Sequence, residues 1–565
     1  MLGLLVFVCS LVLVAGYLCY GRFLSRAVLL NDNNTTPACA INDGVDYVPA
    51  PKGILMGQHF SAISAAGPIV GPILAGLWFG WLPAILWILV GSIFIGGTHD
   101  FLSLVASVRH RGASMGEIIR QYTTPKTRFM FLAFVWISLV YVICAFTDVT
   151  AQTFKTVTGG TAFGPGVAVT SFIYLVLGVV MGFVTRRFKM GPLLLALIFV
   201  PCVLAAIWFG PHCPAPLLNA IERISIKEWD MILLAYCFIA SITPVWILLQ
   251  PRGFLGGCLL YMVMGAGLTG ALFAGFDIHY PAVNMTGLHS MTKGLPLVPV
   301  LFITVACGAI SGFHSIVSTG TTSKQIMRER DTLPIGYGSM LLEAFVAVLA
   351  LATVMVLKQD DPLLKSDPNM IFANGIARYL ELAHIDYNIA LSFALLAFST
   401  FVYDTLDVTT RLGRYVLQEM LGWRSRAGVF AATAITLLMP MAFLLLTREK
   451  AYLVAWPIFG TSNQMLASLV LLALAVWLIR TNKNAVWVLV PAAFMLVMTF
   501  SSLWLKISAL FKALPGLLNG GAAPTPDVLI SGVAGLVLAI VGIWLVIEMA
   551  GVVLKARRQG HGVRL

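Results

Sequence analysis

The chain has 565 residues, of which 59% are hydrophobic and only 11% are charged, and its mean hydropathy is +0.91. Soluble globular proteins carry about 25% charged residues, so this composition excludes them and indicates a membrane protein. The net charge of +12 would suggest nucleic-acid binding in a soluble protein. In a membrane protein it reports the orientation of loops instead, and no nucleic-acid partner is expected.

Apolar runs long enough to cross about 30 Å of hydrocarbon occur about 15 times along the chain. They predict one all-α polytopic membrane unit with about 15 transmembrane helices in a lipid bilayer. The predicted spans are 2–20, 54–78, 81–106, 129–158, 164–184, 190–209, 230–250, 254–276, 298–323, 337–357, 388–403, 427–447, 451–479, 485–505 and 528–554.

The first run lies within residues 1–26 and has neither a basic segment before it nor a convincing cleavage site. It therefore predicts an extra N-terminal transmembrane helix that is not cleaved. If the N-terminus lies outside and the helices alternate, most of the 36 Lys and Arg residues fall in loops on the inner side. The positive-inside rule then predicts a periplasmic N-terminus and a cytoplasmic C-terminus.

The second run contains the most informative segment, GQHFSAISAAGPIVGPILAG at 57–76, in which Pro68 and Pro72 each follow a glycine. Proline removes a backbone donor and clashes with the preceding turn, so this helix is expected to break near mid-membrane. Broken backbone survives inside a bilayer only where it is buried in protein or lines a polar cavity. The segment therefore indicates transport, because transporters bind their substrates at such breaks.

A second break is expected five spans later, at 230–250, where Pro244 follows Thr243. An odd number of spans inverts the second half, so the two breaks predict a five-plus-five inverted repeat. The alternative is that these are ordinary proline kinks, which are common in membrane helices. The predicted units are an extra helix at 1–26, repeats at 54–209 and 230–404, a cytoplasmic amphipathic segment at 405–426, and four additional helices at 427–555.

Ionisable residues at membrane depth are costly, so they are candidates for ion coupling or gating. The candidate coupling or gating residues are His59, Asp100, Asp148, His314 and Asp404. From a rise of 1.5 Å per residue, His59 and Asp100 should lie at similar depths, with Glu343 at a comparable inner depth. A proton could be held or gated by these groups.

The acidic candidates could also have purely structural roles. Asp100 and Asp404 could pair with arginines near the membrane interface as structural locks. Asp148 could be an external gate or a hydrogen-bonded core acid. The candidate arginine partners are Arg109, Arg111, Arg411 and Arg414.

A stripe of hydroxyls follows at 302–326, where Ser311, Ser315, Ser318 and Thr322 share one helix face. Hydroxyls and freed carbonyls are hard oxygen donors that suit sodium, whereas His59 and His314 would suit a proton. Single hydroxyls on membrane helices more often bond the carbonyl four residues back. The nine cysteines form no CxxC pair, and those in apolar spans, such as Cys307, are interpreted as small packing residues.

Several long motifs together resemble the carbon starvation protein A family, over residues from about 50 to about 480. The resemblance implies a bacterial inner-membrane symporter related to the amino acid, polyamine and organocation superfamily, with a fold similar to that of the leucine transporter. It also implies uptake of pyruvate, or of peptides, when preferred carbon sources run out. The motifs are the segment at 57–76, GGTHDFLSLVASVRHRG at 96–112, SGFHSIVSTGTTSKQI at 311–326, VYDTLDVTTRLGRYVLQE at 402–419 and WPIFGTSNQMLA at 456–467.

In this reading both broken helices frame the substrate. Because no intramembrane Arg or Lys is evident in the core, an anionic substrate would be held by backbone amides and uncharged side chains. The resemblance also places a possible sodium site at Ala62, Ser318 and Thr319, although a proton is the favoured coupling ion, and no cofactor is expected. The candidate substrate-binding residues are Gln58, Ser61, Ser64, Gly67, Gly71, Thr243 and Trp246.

Other functional classes fit less well. A channel would need a filter or a charged ring repeated by symmetry. An intramembrane enzyme could use His99-Asp100 or His314-Ser315, but the sequence contains no HExxH motif, and no GxxxxGK[ST] loop for an ATPase. The sequence therefore predicts an ion-coupled importer, with a peptide-specific importer as the nearest alternative.

Overall fold

The computed structural model describes residues 1–158, 160–188, 190–447, 451–518 and 526–558, and most of them are helical. Two short antiparallel hairpins lie in loops, β1 (Val157–Thr158) with β2 (Thr161–Ala162) and β3 (Met285–Thr286) with β4 (His289–Ser290). The helices are α1 (Leu2–Gly16), α2 (Arg22–Val28), α3 (Pro37–Ile41), α4 (Lys52–Ile63), α5 (Gly67–Phe79), α6 (Trp81–Val90), α7 (Gly97–Arg109), α8 (Met115–Arg120), α9 (Pro125–Thr153), α10 (Gly164–Phe188), α11 (Pro192–Phe209), α12 (Ala215–Arg223), α13 (Ile226–Ile242), α14 (Leu249–Phe273), α15 (Leu297–Thr304), α16 (Gly312–Gly320), α17 (Ser339–Met355), α18 (Pro368–Glu381), α19 (Tyr387–Leu421), α20 (Arg426–Leu446), α21 (Tyr452–Arg480), α22 (Val486–Leu518) and α23 (Pro526–Arg558).

Twelve helical stretches of the described residues are long and apolar enough to cross a membrane, and the bent pair α4–α5 adds a thirteenth. A multi-pass helical membrane protein is therefore confirmed. The count of about 15 is not confirmed, because two predicted spans do not form single long helices. The span at 230–250 overlaps the 17-residue α13, which ends at Ile242, and the span at 298–323 is interrupted.

The break predicted within 57–76 is confirmed. α4 ends at Ile63, α5 begins at Gly67, and the two helices meet at an angle of 43°. Pro68 lies in the first turn of α5, where the missing N–H costs nothing, and Ser64 leaves the helical region with φ −87° and ψ 58°. The local sequence is thus sufficient to explain where this helix stops and restarts.

The second break predicted at Pro244 is wrong. α13 ends at Ile242 and α14 begins at Leu249, so Pro244 lies in the connection between two helices. Thr243 is extended, as the residue before a proline prefers. The Arg411 guanidinium donates hydrogen bonds to the carbonyls of Ala240 and Thr243, which stabilises the end of α13.

The second interrupted span is instead α15–α16. α15 ends at Thr304, α16 begins at Gly312, and the seven residues between them are not helical although none of them is proline. No proline marks this break, and the predicted span at 298–323 runs straight through it. We call the two interruptions the first break (64–66) and the second break (305–311).

The segment at 405–426 is not a separate amphipathic element. α19 continues without interruption for 35 residues to Leu421, and its residues 404–414 are buried. Charged residues such as Asp407 and Arg411 occur there because they have buried partners, not because this face meets water. This continuation of α19 lies beside α4, which also packs against α14, while α16 packs against α7 and α21.

Candidate functional site

The two breaks contact each other directly through the glycines of α5. A Cβ atom on Gly67 would lie 2.4 Å from the Cys307 sulfur, and one on Gly71 would lie 2.4 Å from the Thr304 carbonyl oxygen. Only glycine permits this approach. Gly67 and Gly71, predicted to bind substrate, therefore form the contact between the two interrupted helices in this structure.

Side chains from two other helices hold the backbone of the second break. The indole N–H of Trp87 donates to the Val305 carbonyl at 3.1 Å. The Asn463 side-chain oxygen accepts from the backbone N–H of Phe313 at 2.8 Å, and the Gln464 amide donates to the Ile310 carbonyl at 3.2 Å. Backbone groups that a continuous helix would satisfy internally are thus satisfied by tertiary partners.

The first buried polar cluster, which we call the histidine cluster, consists of His99, Asp100, Cys307, His314 and Glu343. The Asp100 carboxylate lies 2.8 Å from His99 Nδ1 and 2.7 Å from His314 Nδ1. The Nε2 atom of His314 lies 3.3 Å from Glu343 Oε2. The histidine and carboxylate side chains have no exposed surface, so the cluster is fully desolvated.

His59 of α4 lies close to this cluster. Its Nδ1 atom is 2.8 Å from the Thr322 hydroxyl, and its Nε2 atom has no hydrogen-bond partner among the described residues. Asp100 and His314 are near enough to His59 to interact with it electrostatically. The expectation that His59, Asp100 and Glu343 lie at similar depths therefore agrees with their grouping here.

The second cluster, which we call the arginine cluster, consists of Ser61, Tyr236, Arg252, Asp404 and Asp407. Arg252 Nε lies 3.2 Å from Asp404 Oδ1, and Arg252 Nη1 contacts both Asp407 Oδ2 and the Tyr236 hydroxyl. Tyr236 donates to Asp407 at 2.7 Å, and the Ser61 hydroxyl donates to Asp404. One guanidinium therefore lies between two carboxylates beside the half-helix α4.

Aromatic rings enclose this guanidinium. The Arg252 Cζ atom lies 4.9 Å from the ring centre of Tyr403 and 5.7 Å from that of Tyr174. Tyr174 also donates to the Arg252 backbone carbonyl at 2.7 Å, and the arginine side chain is only 2% exposed. The expectation that the core contains no intramembrane Arg is wrong. Arg252 falls between the predicted spans 230–250 and 254–276, but α14 begins three residues before it, at Leu249.

The interfacial pairing considered for Asp100 and Asp404 is also wrong. Asp100 pairs with His99 and His314, while Asp404 pairs with Arg252. Arg109 instead pairs with Glu329 at 2.6 Å, and Arg411 lies 3.6 Å from Asp46. Helix packing, which sequence spacing does not reveal, selected these partners.

Asp148 belongs to neither cluster. It lies near the C-terminal end of α9, and its Oδ2 atom accepts from the backbone N–H of Tyr452 at 2.9 Å, at the start of α21. The Tyr452 hydroxyl in turn donates to Asp367 at 2.9 Å. Asp148, Asp367 and Tyr452 thus connect α9, α21 and the segment before α18.

The three residues of the predicted sodium site do not share a hydrogen-bond partner. The Ala62 carbonyl accepts from Thr405 of α19 at 2.9 Å, and Thr319 donates within its own helix to Ser315 at 2.8 Å. The Ser318 hydroxyl is buried without a hydrogen-bond partner among the described residues. The side chain beside the Ala62 carbonyl therefore comes from α19, which the sequence did not suggest.

The other predicted substrate residues fall into two groups. Gln58, Ser61 and Ser64 are buried at or just before the first break, and Gln58 Oε1 and Ser64 Oγ lack partners among the described residues. Thr243 and Trp246 lie in the α13–α14 connection, where the Arg186 guanidinium stacks 4.2 Å from the Trp246 ring centre. Trp246 lines a cleft of about 270 Å³ together with residues 48–51, at the start of α4.

A much smaller cavity adjoins the arginine cluster. Gln58, Ala62, Arg252, Asp404 and Asp407 line it, and its volume is about 10 Å³, which is about the space for one water molecule. A substrate would therefore fit beside Arg252 only after α4 moves relative to α14 or α19.

Comparison with known proteins identifies relatives over most of the chain. The profile of the family described as "Carbon starvation protein CstA" matches residues 2–365 and 362–502. The chain is 32% identical to "Peptide transporter CstA" of Helicobacter pylori, covering 87% of this chain and 80% of the relative. It is 29% identical to "Pyruvate/proton symporter BtsT" of Escherichia coli, covering 88% of this chain and 80% of the relative.

A solved structure shares the fold at low sequence identity. The manganese transporter of Eremococcus coleocola superimposes with a TM-score of 0.54 and 13% identity, covering 91% of this chain and 99% of that chain. At this identity the likeness concerns the fold alone.

Proposed function

This chain belongs to the carbon starvation protein CstA family and is a membrane transporter rather than an enzyme, and we propose that it imports pyruvate or short peptides in symport with protons. Its relatives are named for both substrates, and both carry a carboxylate. The transporter lies in the bacterial inner membrane with a periplasmic N-terminus, and it serves the cell when preferred carbon sources run out.

The observation that carries this proposal is the charge balance of the arginine cluster. Arg252 supplies one permanent positive charge, whereas Asp404 and Asp407 could supply two negative charges in the same desolvated site. The neighbouring Arg411 also interacts with Asp407, but its charge is matched by Asp46 at 3.6 Å. An uncompensated charge inside a membrane protein is strongly unfavourable, so the cluster favours binding of one proton. Asp404 is the candidate carrier, because it also contacts Ser61 on the half-helix α4.

The same cluster supports a proton rather than sodium as the coupling ion. A cation site at this position would need oxygen donors from α4 and α19. Here the guanidinium of Arg252 already lies between the α19 carboxylates, next to the Ser61 hydroxyl that Asp404 binds. A tethered cation thus replaces a diffusible one, and the exchangeable positive charge is the proton.

Coupling follows from competition for Arg252. Protonation of Asp404 weakens its attraction to the guanidinium, and the substrate carboxylate then pairs with Arg252 in its place. Loss of the proton on the cytoplasmic side restores the Asp404–Arg252 pair and displaces the substrate. Gln58, Ser61 and Ser64 supply the adjacent polar groups, because all three are buried on the same half-helix or at its end.

The histidine cluster is the second candidate proton site. His314 bridges Asp100 and Glu343, and His59 lies beside it on α4. The two half-helices α4 and α16 therefore both contribute ionisable side chains, and movement at either break changes their surroundings. Asp148, near the C-terminal end of α9, is a gate that lies farther from the basic loops than the histidine cluster does.

We further propose a five-plus-five inverted repeat whose halves begin at α4–α5 and α15–α16, with α10 and α11 as an insertion in the first half. The contact between the two breaks supports this pairing. Two structural halves that each begin with an interrupted helix are typical of transporters. Labelling of cysteines introduced at the N-terminus and in the α8–α9 loop, by an impermeant reagent on intact cells, tests the orientation.

Transport by the purified protein in proteoliposomes tests the proton-coupled mechanism. Accumulation of labelled pyruvate should depend on an imposed pH gradient and not on a sodium gradient. Asp404→Asn should abolish accumulation but preserve counterflow exchange, because exchange needs substrate binding without net proton movement. Asp360→Asn in an exposed loop is the matched control. Sodium-driven accumulation, or uptake that ignores every gradient, would contradict the proposal.

Peptide-specific import is the second candidate, since several relatives are named peptide transporters. Competition of unlabelled di- and tripeptides against labelled pyruvate distinguishes the two. Counterflow of a labelled dipeptide without any exchange of labelled pyruvate identifies a peptide-specific carrier, whereas pyruvate exchange that peptides do not inhibit identifies a pyruvate carrier.

A further inference from the structure

A thiol, an imidazole and a carboxylate converge where the second break meets α17. Ligand atoms of Cys307, His314 and Glu343 all lie within 4.8 Å of one another, and all three residues are buried. Cys307 belongs to the non-helical segment, His314 to the first turn of α16, and Glu343 to α17. Cys307 and His314 flank the end of the second break, whereas Glu343 lies on a separate helix, so folding is needed to bring the carboxylate to the other two.

The histidine of this group is oriented as a metal ligand usually is. Its Nδ1 atom lies 2.7 Å from Asp100, so Nε2 is the nitrogen that faces Glu343, at 3.3 Å. Histidines that bind metals almost always donate their other ring N–H to a carboxylate or carbonyl, which fixes the ring and the tautomer. Asp100 performs that role here, and His99 holds the second oxygen of Asp100 at 2.8 Å.

Glu343 provides an independent indication of a missing ligand. Its side chain has no exposed surface, and neither carboxylate oxygen makes a hydrogen bond with the described residues. The contact with His314 Nε2 does not have hydrogen-bond geometry, since that nitrogen is also without a hydrogen-bond partner. A buried carboxylate in this condition is costly unless a cation or a proton satisfies it.

The backbone around Cys307 is held in place by other residues. Asn463 binds the Ser311 hydroxyl at 3.0 Å and the Phe313 N–H at 2.8 Å, and Trp87 binds the Val305 carbonyl at 3.1 Å. The thiol is therefore presented from a segment that is fixed on both sides. Pre-positioned ligands of this kind favour metal binding because little chain entropy remains to be lost.

We propose that Cys307, His314 and Glu343 bind one divalent transition-metal ion of the zinc type. Thiolate and imidazole ligands select such ions over sodium, magnesium or calcium, which prefer oxygen donors. Zinc ligands lie about 2.0–2.3 Å from the metal, so the three groups need to approach only slightly. Binding releases the thiol proton and any proton shared by His314 and Glu343, so the metal competes with protons at this site.

The proposal goes beyond the transport function and does not depend on its substrate or coupling ion. The experiment is a titration of the purified, full-length transporter with cobalt(II), which reports thiolate ligation by a charge-transfer absorbance band. The wild-type protein should bind one cobalt ion per chain and develop the band. Cys144→Ser, which removes a buried thiol on α9 instead, should behave like wild type.

Three variants test the ligands and the orienting carboxylate. Cys307→Ser should lose the charge-transfer band, and Glu343→Gln should weaken cobalt binding by at least tenfold. Asp100→Asn should weaken it by about 10–100-fold while keeping the band at saturation, as expected of a residue that orients a ligand. Zinc should displace cobalt from the wild-type protein. It should also protect Cys307, but not Cys258 on α14, from an alkylating reagent, with the alkylated cysteines identified by mass spectrometry.

Absence of a stoichiometric band in wild type, or an unchanged band in Cys307→Ser, would overturn the proposal and leave His314–Glu343 as an ion pair only. If Cys307→Ser does not fold, loss of zinc protection in Glu343→Gln decides the same point. Transport is not measured in any arm, so failure here is distinguishable from failure of proton-coupled import.

Discussion

The two interrupted helices reach the same kind of structure by different routes. The first break is encoded locally, since Gly67 and Pro68 follow Ser64 within four residues, while Gly71 and Pro72 lie one turn further on, inside α5. The second break contains no proline. It is held by Trp87 of α6 and by Asn463 and Gln464 of α21, all of which are distant from it in sequence.

This difference predicts how each break responds to mutation. The local signals of the first break are redundant, because removing one proline leaves another proline and the glycines in place. The tertiary contacts of the second break are not redundant, because each partner satisfies a particular buried backbone group that has no other partner among the described residues. Substitutions at the contact between the breaks should therefore be most harmful, partners of the second break next, and single prolines of the first break least.

The largest effect is expected for Gly71→Ala, where the two breaks touch. The added Cβ would lie 2.4 Å from the Thr304 backbone oxygen, which cannot move without shifting the second break. Overpacking of this kind typically costs about 1–3 kcal/mol, and transport should be lost. Thermal unfolding of the purified protein and uptake in proteoliposomes measure both effects.

Gly265→Ala on α14 is the matched control, since its Cβ would meet open space. It should retain transport and the wild-type unfolding temperature. Equal behaviour of the two variants would show that the breaks do not contact each other closely.

The next largest effect is expected for Asn463→Ala. It leaves the buried Phe313 N–H without its acceptor, at a cost of about 1–3 kcal/mol, but unlike Gly71→Ala it forces no shift of the backbone. The unfolding temperature should fall clearly. Ser468→Ala on the same helix is the control, because among the described residues Ser468 bonds only a carbonyl of its own helix, at 2.9 Å.

A moderate effect is expected for Trp87→Phe, which keeps an aromatic ring but removes the donor to Val305. The net loss should be about 0.5–1.5 kcal/mol, the usual contribution of one hydrogen bond. Trp208→Phe at a position that is 55% exposed is the control for the smaller ring. If Trp87→Phe loses no more stability than this control, the hydrogen bond to Val305 contributes nothing measurable.

The smallest effect on stability is expected for Pro68→Ala, within about 1 kcal/mol of wild type. Proline in the first helical turn gives up no intrahelical bond, and the first break keeps its other contacts, including Thr405 with the Ala62 carbonyl. Thermal unfolding again measures the change. A loss as large as that of Asn463→Ala would mean that one proline, not a redundant set, encodes this break.

The sequence predicted some site residues because their signals are local. Gln58, Ser61 and Ser64 were found from the proline-marked break beside them, and His59, Asp100, His314 and Asp404 from their position in apolar runs. Their partners were not predictable in the same way. Asp404 meets Arg252 and Asp100 meets His314 only because α4, α7, α14, α16 and α19 pack together.

The residues that were missed or misread show what a sequence cannot encode by itself. Arg252 falls between the predicted spans 230–250 and 254–276, whereas α14 begins at Leu249 and continues through Pro251. Cys307 was taken for a packing residue, since nothing local interrupts its helix. A pattern search for ionisable residues next to predicted span ends would have found Arg252, but no local signal marks the second break.

The amino-acid sequence by itself determined a polytopic helical membrane protein, its family and its first break, because hydropathy and proline act within a few residues of where they occur. Only the tertiary structure decided the second break, the partners of the buried charges and the group formed by Cys307, His314 and Glu343. Those features depend on desolvated side chains that find their counterparts across helices, and sequence spacing does not specify which helices meet.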